Sequence, residues 1–226
     1  MKTIGIIGGL GPPSTVKYYE WLNEGVYDAL GENHSAKIIL TSLDGEDIKQ
    51  LRIKGDLDTE GAFYASEAKR LEKAGADFIL IASNTSHRNA PYIEKEVSIP
   101  LLHLADATAQ YINSRGYNKV LLLGTSLTME EDFYKGRLVR NGLNVFVPDK
   151  HDRDYMSEVI YNELVKGQVR AEVNDKFEAI IKKFPDVECV ILGCTELTLL
   201  NLNNIPVPLF DTIRIHVDAA LNYALE

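Results

Sequence analysis

The sequence predicts an α/β protein of two pseudo-symmetric domains, each a parallel sheet flanked by helices, with an active site in the cleft between them. Three observations lead there. Short runs of branched apolar residues alternate with amphipathic stretches almost throughout the 226 residues, the pattern of parallel strands joined by helices. Two of those runs, Phe78-Ile79-Leu80-Ile81 and Val190-Ile191-Leu192, close on similar clusters of small polar residues, Ser83-Asn84-Thr85 and Cys194-Thr195-Glu196. Each also follows a predicted helix and a short acidic turn, as if two half-proteins shared one plan. The expected domains are residues 1–100 with a returning helix at 213–226, and residues 101–212.

Taken in order, residues 3–7 read as the first strand, running into the glycine-rich turn Gly8-Gly9-Leu10-Gly11-Pro12-Pro13. Ser14 or Thr15 is the expected N-cap of a helix over 16–30. The turn comes near a dinucleotide fingerprint, but Pro12 and Pro13 remove N–H donors that a pyrophosphate needs, and the third glycine is missing. It reads better as a close backbone approach, at Gly11, to a smaller carboxylate. Residues 37–43 form a second strand, and 44–58 a polar irregular loop holding Arg52. Its guanidinium suits a carboxylate clamp, or is a solvated cation among acidic neighbours. A helix over 59–74, closed by Gly75, leads to the Ser83 strand.

The second half opens with a short strand at 99–104 and a helix at 105–114. The strand at 118–123 ends in Gly124-Thr125-Ser126, a donor-rich rim matching the first glycine turn. A helix over 133–141, a strand over 144–147 and a helix over 155–164 follow. Lys166 lies just beyond, either a substrate cation or a charge complementing the helix C-terminus. Residues 171–184 form the helix before the Cys194 strand, 207–210 a last strand and 213–225 the closing helix. Cys194 at a strand end, near an expected helix N-terminus, is a candidate reactive thiolate; the other reading is a small buried cysteine.

A net charge of -9 argues against nucleic acid or an anionic membrane as partner. There is no apolar run long enough to span a bilayer and no signal-peptide pattern, so a cytoplasmic location is expected. Cys189 and Cys194 make no disulfide framework, and no Cys/His cluster has metal spacing, so no metal is expected.

Together the motifs Ile6-Ile7-Gly8-Gly9-Leu10-Gly11-Pro12, Ser83-Asn84-Thr85-Ser86-His87 and Gly193-Cys194-Thr195-Glu196-Leu197 make the chain similar, over its whole length, to the aspartate/glutamate racemase family. The resemblance implies a small dicarboxylic amino acid as substrate, no cofactor and a homodimer. It implies two acid/base residues flanking the substrate α-carbon, one per domain: Cys194, and the residue at 83. By the same resemblance Asn84, Thr85, Thr125, Ser126 and Thr195 would hold the α-carboxylate. Lys166, and less directly Arg52, would meet the distal one, while His87 and Glu196 would assist.

The family's first motif usually opens with Cys, and here it is Ser83. A serine hydroxyl is a poor base beside a thiol that titrates near ~8.5, yet it can deliver a proton to a carbanion. Catalysis is therefore expected to be asymmetric, and the resemblance points to the L-amino acid as the enantiomer facing Cys194. The serine is either natural or a substitution of the kind used to trap ligands. Related chemistries on the same scaffold remain open beside the racemase reading. They are hydantoin racemisation, maleate isomerisation, arylmalonate decarboxylation, and binding of a dicarboxylate without catalysis.

Overall fold

The computed structural model describes all residues, 1–226. The chain divides into two compact units, Met1–Leu104 with His216–Glu226, and Ala105–Ile215.

The first unit contains β1 (Ile4–Gly8), α1 (Pro12–Leu30), β2 (Ile38–Ser42), α2 (Gly45–Lys54), α3 (Leu57–Lys73), β3 (Phe78–Ile81) and α4 (Ala90–Glu96). Its sheet is parallel in the order β2-β1-β3, with Ile4 opposite both Ile38 and Phe78. β1 and β3 are buried along their whole length, which is why they read as unbroken apolar runs rather than alternating ones. Ile7, Ile79 and Ile81 pack with Tyr64, Ala68 and Leu71 of α3.

Three expectations for this unit differ from the structure. The cap of α1 is Gly11, with Pro12 and Pro13 at the first helical positions, where a missing N–H costs nothing. The hydroxyl of Thr15 instead accepts the N–H of Gly9 at 2.9 Å and ties the turn together. The stretch 44–58 is helical rather than irregular. Asp44 caps α2 by accepting from the Glu46 N–H, Gly55 ends it in the left-handed region, and Asp56 caps α3 by accepting from the Thr59 N–H. Ile48 and Leu51, one turn apart, turn the apolar face of α2 to the core. Finally, the strand at 99–104 shrinks to one bridge, Ile79 to Leu101, since Pro100 has no N–H to extend a ladder.

Gly9 is held at φ 83°, where an added Cβ would lie 2.3 Å from the Leu43 carbonyl oxygen. Backbone cannot move aside as a flexible side chain would. Gly9→Ala is expected to cost about 3 kcal/mol, read as a lower urea midpoint with unchanged slope.

The second unit contains α5 (Leu104–Ser114), β4 (Lys119–Leu123), α6 (Ser126–Glu130), α7 (Lys135–Arg140), β5 (Asn144–Phe146), α8 (Lys150–Asn162), α9 (Ala171–Ile181), β6 (Cys189–Leu192) and β7 (Leu209–Asp211). The last helix, α10 (Thr212–Leu225), begins in this unit and ends in the first. The sheet is parallel in the order β5-β4-β6-β7. Its core gathers Leu121, Leu123, Val190, Met156, Phe177 and Ile180. Each such side chain contributes about 1.5–3 kcal/mol on burial. The helix expected over 133–141 is shorter, and the one expected from 155 starts at Lys150, because Asp149 caps it by accepting the Asp152 N–H at 3.0 Å.

The two sheets repeat one order. The first strand of each is central, the second lies on one side and the third on the other. Even the single bridge of Leu101 to β3 takes the place that β7 holds beside β6. Ser83 follows the last residue of β3 by the same step as Cys194 follows the last residue of β6.

Candidate active site

The Ser83 cluster is built on the carboxyl end of β3. Residues Thr85–Asn89 wind into one 3-10 turn that brings the side chains of Ser86 and His87 back toward Ser83. The imidazole of His87 is fully buried. Its Nε2 accepts the Leu104 N–H at 3.2 Å, so Nδ1 carries the hydrogen and donates it to the Ser83 carbonyl at 2.8 Å. His87 thus fixes the backbone of residue 83 and leaves its hydroxyl alone. The neighbouring ring of His216 donates Nε2–H to the Leu102 carbonyl and accepts the Tyr18 O–H at 2.7 Å. Burial pulls its pKa down to about 4, so it stays neutral.

Arg52 lies in the last turn of α2, not on an open loop. Its Nε donates to Glu60 Oε1 at 3.0 Å and its Nη2 donates to Ser86 Oγ at 2.9 Å. Glu60 is almost wholly buried and also accepts from Asn89 Nδ2 at 2.9 Å. Removing one partner of such a buried pair would strand the other's charge, so these contacts hold the guanidinium in place. The expected carboxylate clamp is already engaged by the protein.

The Cys194 cluster has a different electrostatic character. Gly193 approaches β4 closely enough for its N–H to donate to the Leu123 carbonyl at 2.7 Å, and a Cβ there would meet that oxygen at the same distance. Cys194 is half-buried and extended, and a 3-10 turn over Thr195–Leu199 follows it. Its Sγ donates to Glu196 Oε2 at 2.9 Å, and Thr195 Oγ1 donates to the same oxygen at 2.6 Å. Burial, and then the charge and hydrogen bond of Glu196, push the thiol well above its ordinary pKa. The expectation of a thiolate favoured by a helix N-terminus is corrected here. No long helix follows, and a carboxylate on the sulfur outweighs a single turn's dipole. Cys189, at the buried start of β6, is pushed up to about 12, mainly by burial, and is inert.

The sign of the Glu196 effect can be checked directly. Glu196→Gln removes the charge that disfavours thiolate, so alkylation of Cys194 by iodoacetamide should reach its midpoint at lower pH than in the parent protein. A midpoint that stays or rises would contradict this account.

The remaining sequence-derived residues divide clearly. Gly11 caps α1, its carbonyl accepting the Ser14 N–H at 2.9 Å. Thr125 is buried and caps α6, and the hydroxyl and N–H of Ser126 both meet Ser157 Oγ, at 2.8 and 2.7 Å. Asn84 is buried and Thr85 half-buried beside Ser83. Lys166 is exposed at the end of a 3-10 turn, followed by Gly167 in the left-handed region. Ser86, Tyr64 and Glu60, which the sequence did not single out, complete the Ser83 cluster. No group of three or more His, Cys, Asp or Glu could hold a metal ion, and no helix is long and apolar enough to cross a membrane.

Matched strand ends thus carry a thiol and a hydroxyl on two parallel sheets of one order. The model of the family described as Asp/Glu/hydantoin racemase matches residues 7–220. The chain belongs to that family. A crystal structure of a candidate Asp/Glu racemase from Yersinia pestis is 44% identical, with both chains fully covered and a TM-score of 0.95. An aspartate racemase homologue from Pyrococcus horikoshii OT3 is 34% identical over the full length of both chains, with a TM-score of 0.87. The broad specificity amino-acid racemase RacX of Bacillus subtilis is 28% identical over 65% of this chain, which spans 64% of that relative's length.

Proposed function

We propose that this chain is a cofactor-independent amino-acid racemase acting on aspartate or glutamate, and that its α-proton exchange is asymmetric, faster for one enantiomer. The observation that carries the reading is the equivalence of Ser83 and Cys194, each set by the same step past a buried parallel strand in a member of the racemase family. Cys194 removes the α-proton of the enantiomer that faces it, here taken as L, and Ser83 protonates the other face of the resulting carbanion. Before that, Glu196 receives the thiol proton across the existing Sγ to Oε2 hydrogen bond, which creates the thiolate only when it is needed. α-Proton exchange of the opposite enantiomer needs Ser83 as the base, and nothing beside it accepts its proton, so that exchange is the slower.

The two substrate carboxylates are assigned separate contacts. The side chain of Lys166 is exposed and makes no ion pair, so it suits the distal carboxylate, whereas Arg52 is spent on Glu60 and Ser86. Asn84, Thr85 and Thr195 border the two acid/base residues in sequence and serve the α-carboxylate. The test is α-proton exchange in deuterated solvent, with racemisation followed in parallel, for L- and D-aspartate and L- and D-glutamate separately. Exchange of an L-enantiomer well ahead of its D-partner is expected. Equal rates for both would defeat the asymmetric reading, and no exchange with any of the four would defeat the racemase reading.

A further inference from the structure

We infer that Ser86 is a positioning residue that holds Ser83 as a proton donor, through a hydrogen-bond chain running from Arg52 and Tyr64 to the Ser83 hydroxyl. The inference rests on the racemase reading and deepens it. The accounting is simple. A serine hydroxyl has one proton to give and two lone pairs to fill. Ser86 Oγ accepts from Arg52 Nη2 at 2.9 Å and from the Tyr64 O–H at 2.9 Å. Both lone pairs are filled, so the single Ser86 proton goes to its remaining neighbour, Ser83 Oγ, at 3.1 Å. Neither upstream donor can reverse. A guanidinium only donates, and Tyr64 is fully buried with Ser86 as its one acceptor; burial pushes its pKa up to about 12.

The direction of the chain decides what Ser83 can do. Its oxygen accepts from Ser86, and its own proton has no acceptor within the protein. That proton is therefore available to a carbanion. When it leaves, the O–H bond breaks, the carbanion's electron pair forms the new C–H bond, and an alkoxide remains on Ser83. The Ser86 O–H already points at that oxygen, polarised by the charge of Arg52, so the alkoxide is stabilised where it forms. Water then returns a proton to Ser83, Cys194 keeps the α-proton as its thiol proton, and Glu196 gives up to solvent the proton it took from the sulfur, which restores all three groups. Glu60 and Asn89 keep Arg52 from swinging away. The cluster favours giving a proton and disfavours taking one. This is the reverse of Cys194, whose sulfur donates to a carboxylate.

The experiment separates proton removal from protonation on the far face. In deuterated solvent, Ser86→Ala should exchange the α-proton of the L-substrate within about twofold of the parent rate while racemisation falls about tenfold or more. Tyr64→Phe, which keeps the ring and its packing, should show the same split at a smaller amplitude and stands in should Ser86→Ala fail to fold. Exchange and racemisation falling by one common factor would show a merely structural role. Racemisation unchanged in both variants would show that the chain does not act on Ser83. A parent protein that exchanges none of the substrates would instead fail the racemase reading, and this inference with it.

Discussion

Cys194→Ala is expected to lower α-proton exchange of the L-substrate by about 10³-fold, the typical contribution of a positioned acid/base group. No other group can take over. Cys189 is buried at the start of β6 and pushed up to about 12, far from ionising at neutral pH. Glu196 keeps its hydrogen bond from Thr195, but its carboxylate is placed to take the sulfur's proton, not one beyond it. The substitution removes one half-buried sulfur that packs at the border of the core. It should shift stability by no more than about 1 kcal/mol. Thermal unfolding therefore serves as the control. A variant that folds normally and still exchanges within tenfold of the parent would remove Cys194 from the mechanism.

What the sequence revealed of this site depended on whether the signal was local. The two strand ends were legible because a strand buried on both faces leaves an unbroken apolar run, and a glycine or a small polar cluster marks where it stops. That placed Ser83 and Cys194 at equivalent positions without any three-dimensional information. The helix α2 is hidden by its polarity, although Asp44 and Asp56 as caps and Gly55 as a stop are all present in the sequence. The state of Cys194 is hidden for another reason. Glu196 is adjacent in sequence, but only the folded turn shows that its carboxylate swings back onto the sulfur. Ser86 lies inside one of the motifs, yet nothing in the sequence marks its role. Its partners Arg52 and Tyr64 lie on α2 and α3, and the fold alone brings them together around one hydroxyl.

Under the proposed mechanism Ser83→Cys is expected to raise α-proton exchange of the D-substrate by about 10²-fold while leaving that of the L-substrate within a few-fold. Acidity in two different surroundings decides the outcome. A serine hydroxyl does not ionise near neutral pH, whereas a thiol does so near ~8.5 and can be tuned lower. At position 83 the tuning favours the anion. The Ser86 O–H donates to that atom, Arg52 stands behind Ser86, and no carboxylate touches it. At position 194 the neighbouring Glu196 pushes the other way. The new thiol should therefore ionise at lower pH than Cys194, and alkylation of each site against pH, resolved by peptide mass, would read the difference. The hydrogen bond from Ser86 to Ser83 has room to lengthen for sulfur, since residue 83 is only half-buried. A thiol at 83 that ionises below Cys194 yet brings no exchange of the D-substrate would mean that residue 83 does not meet the α-carbon.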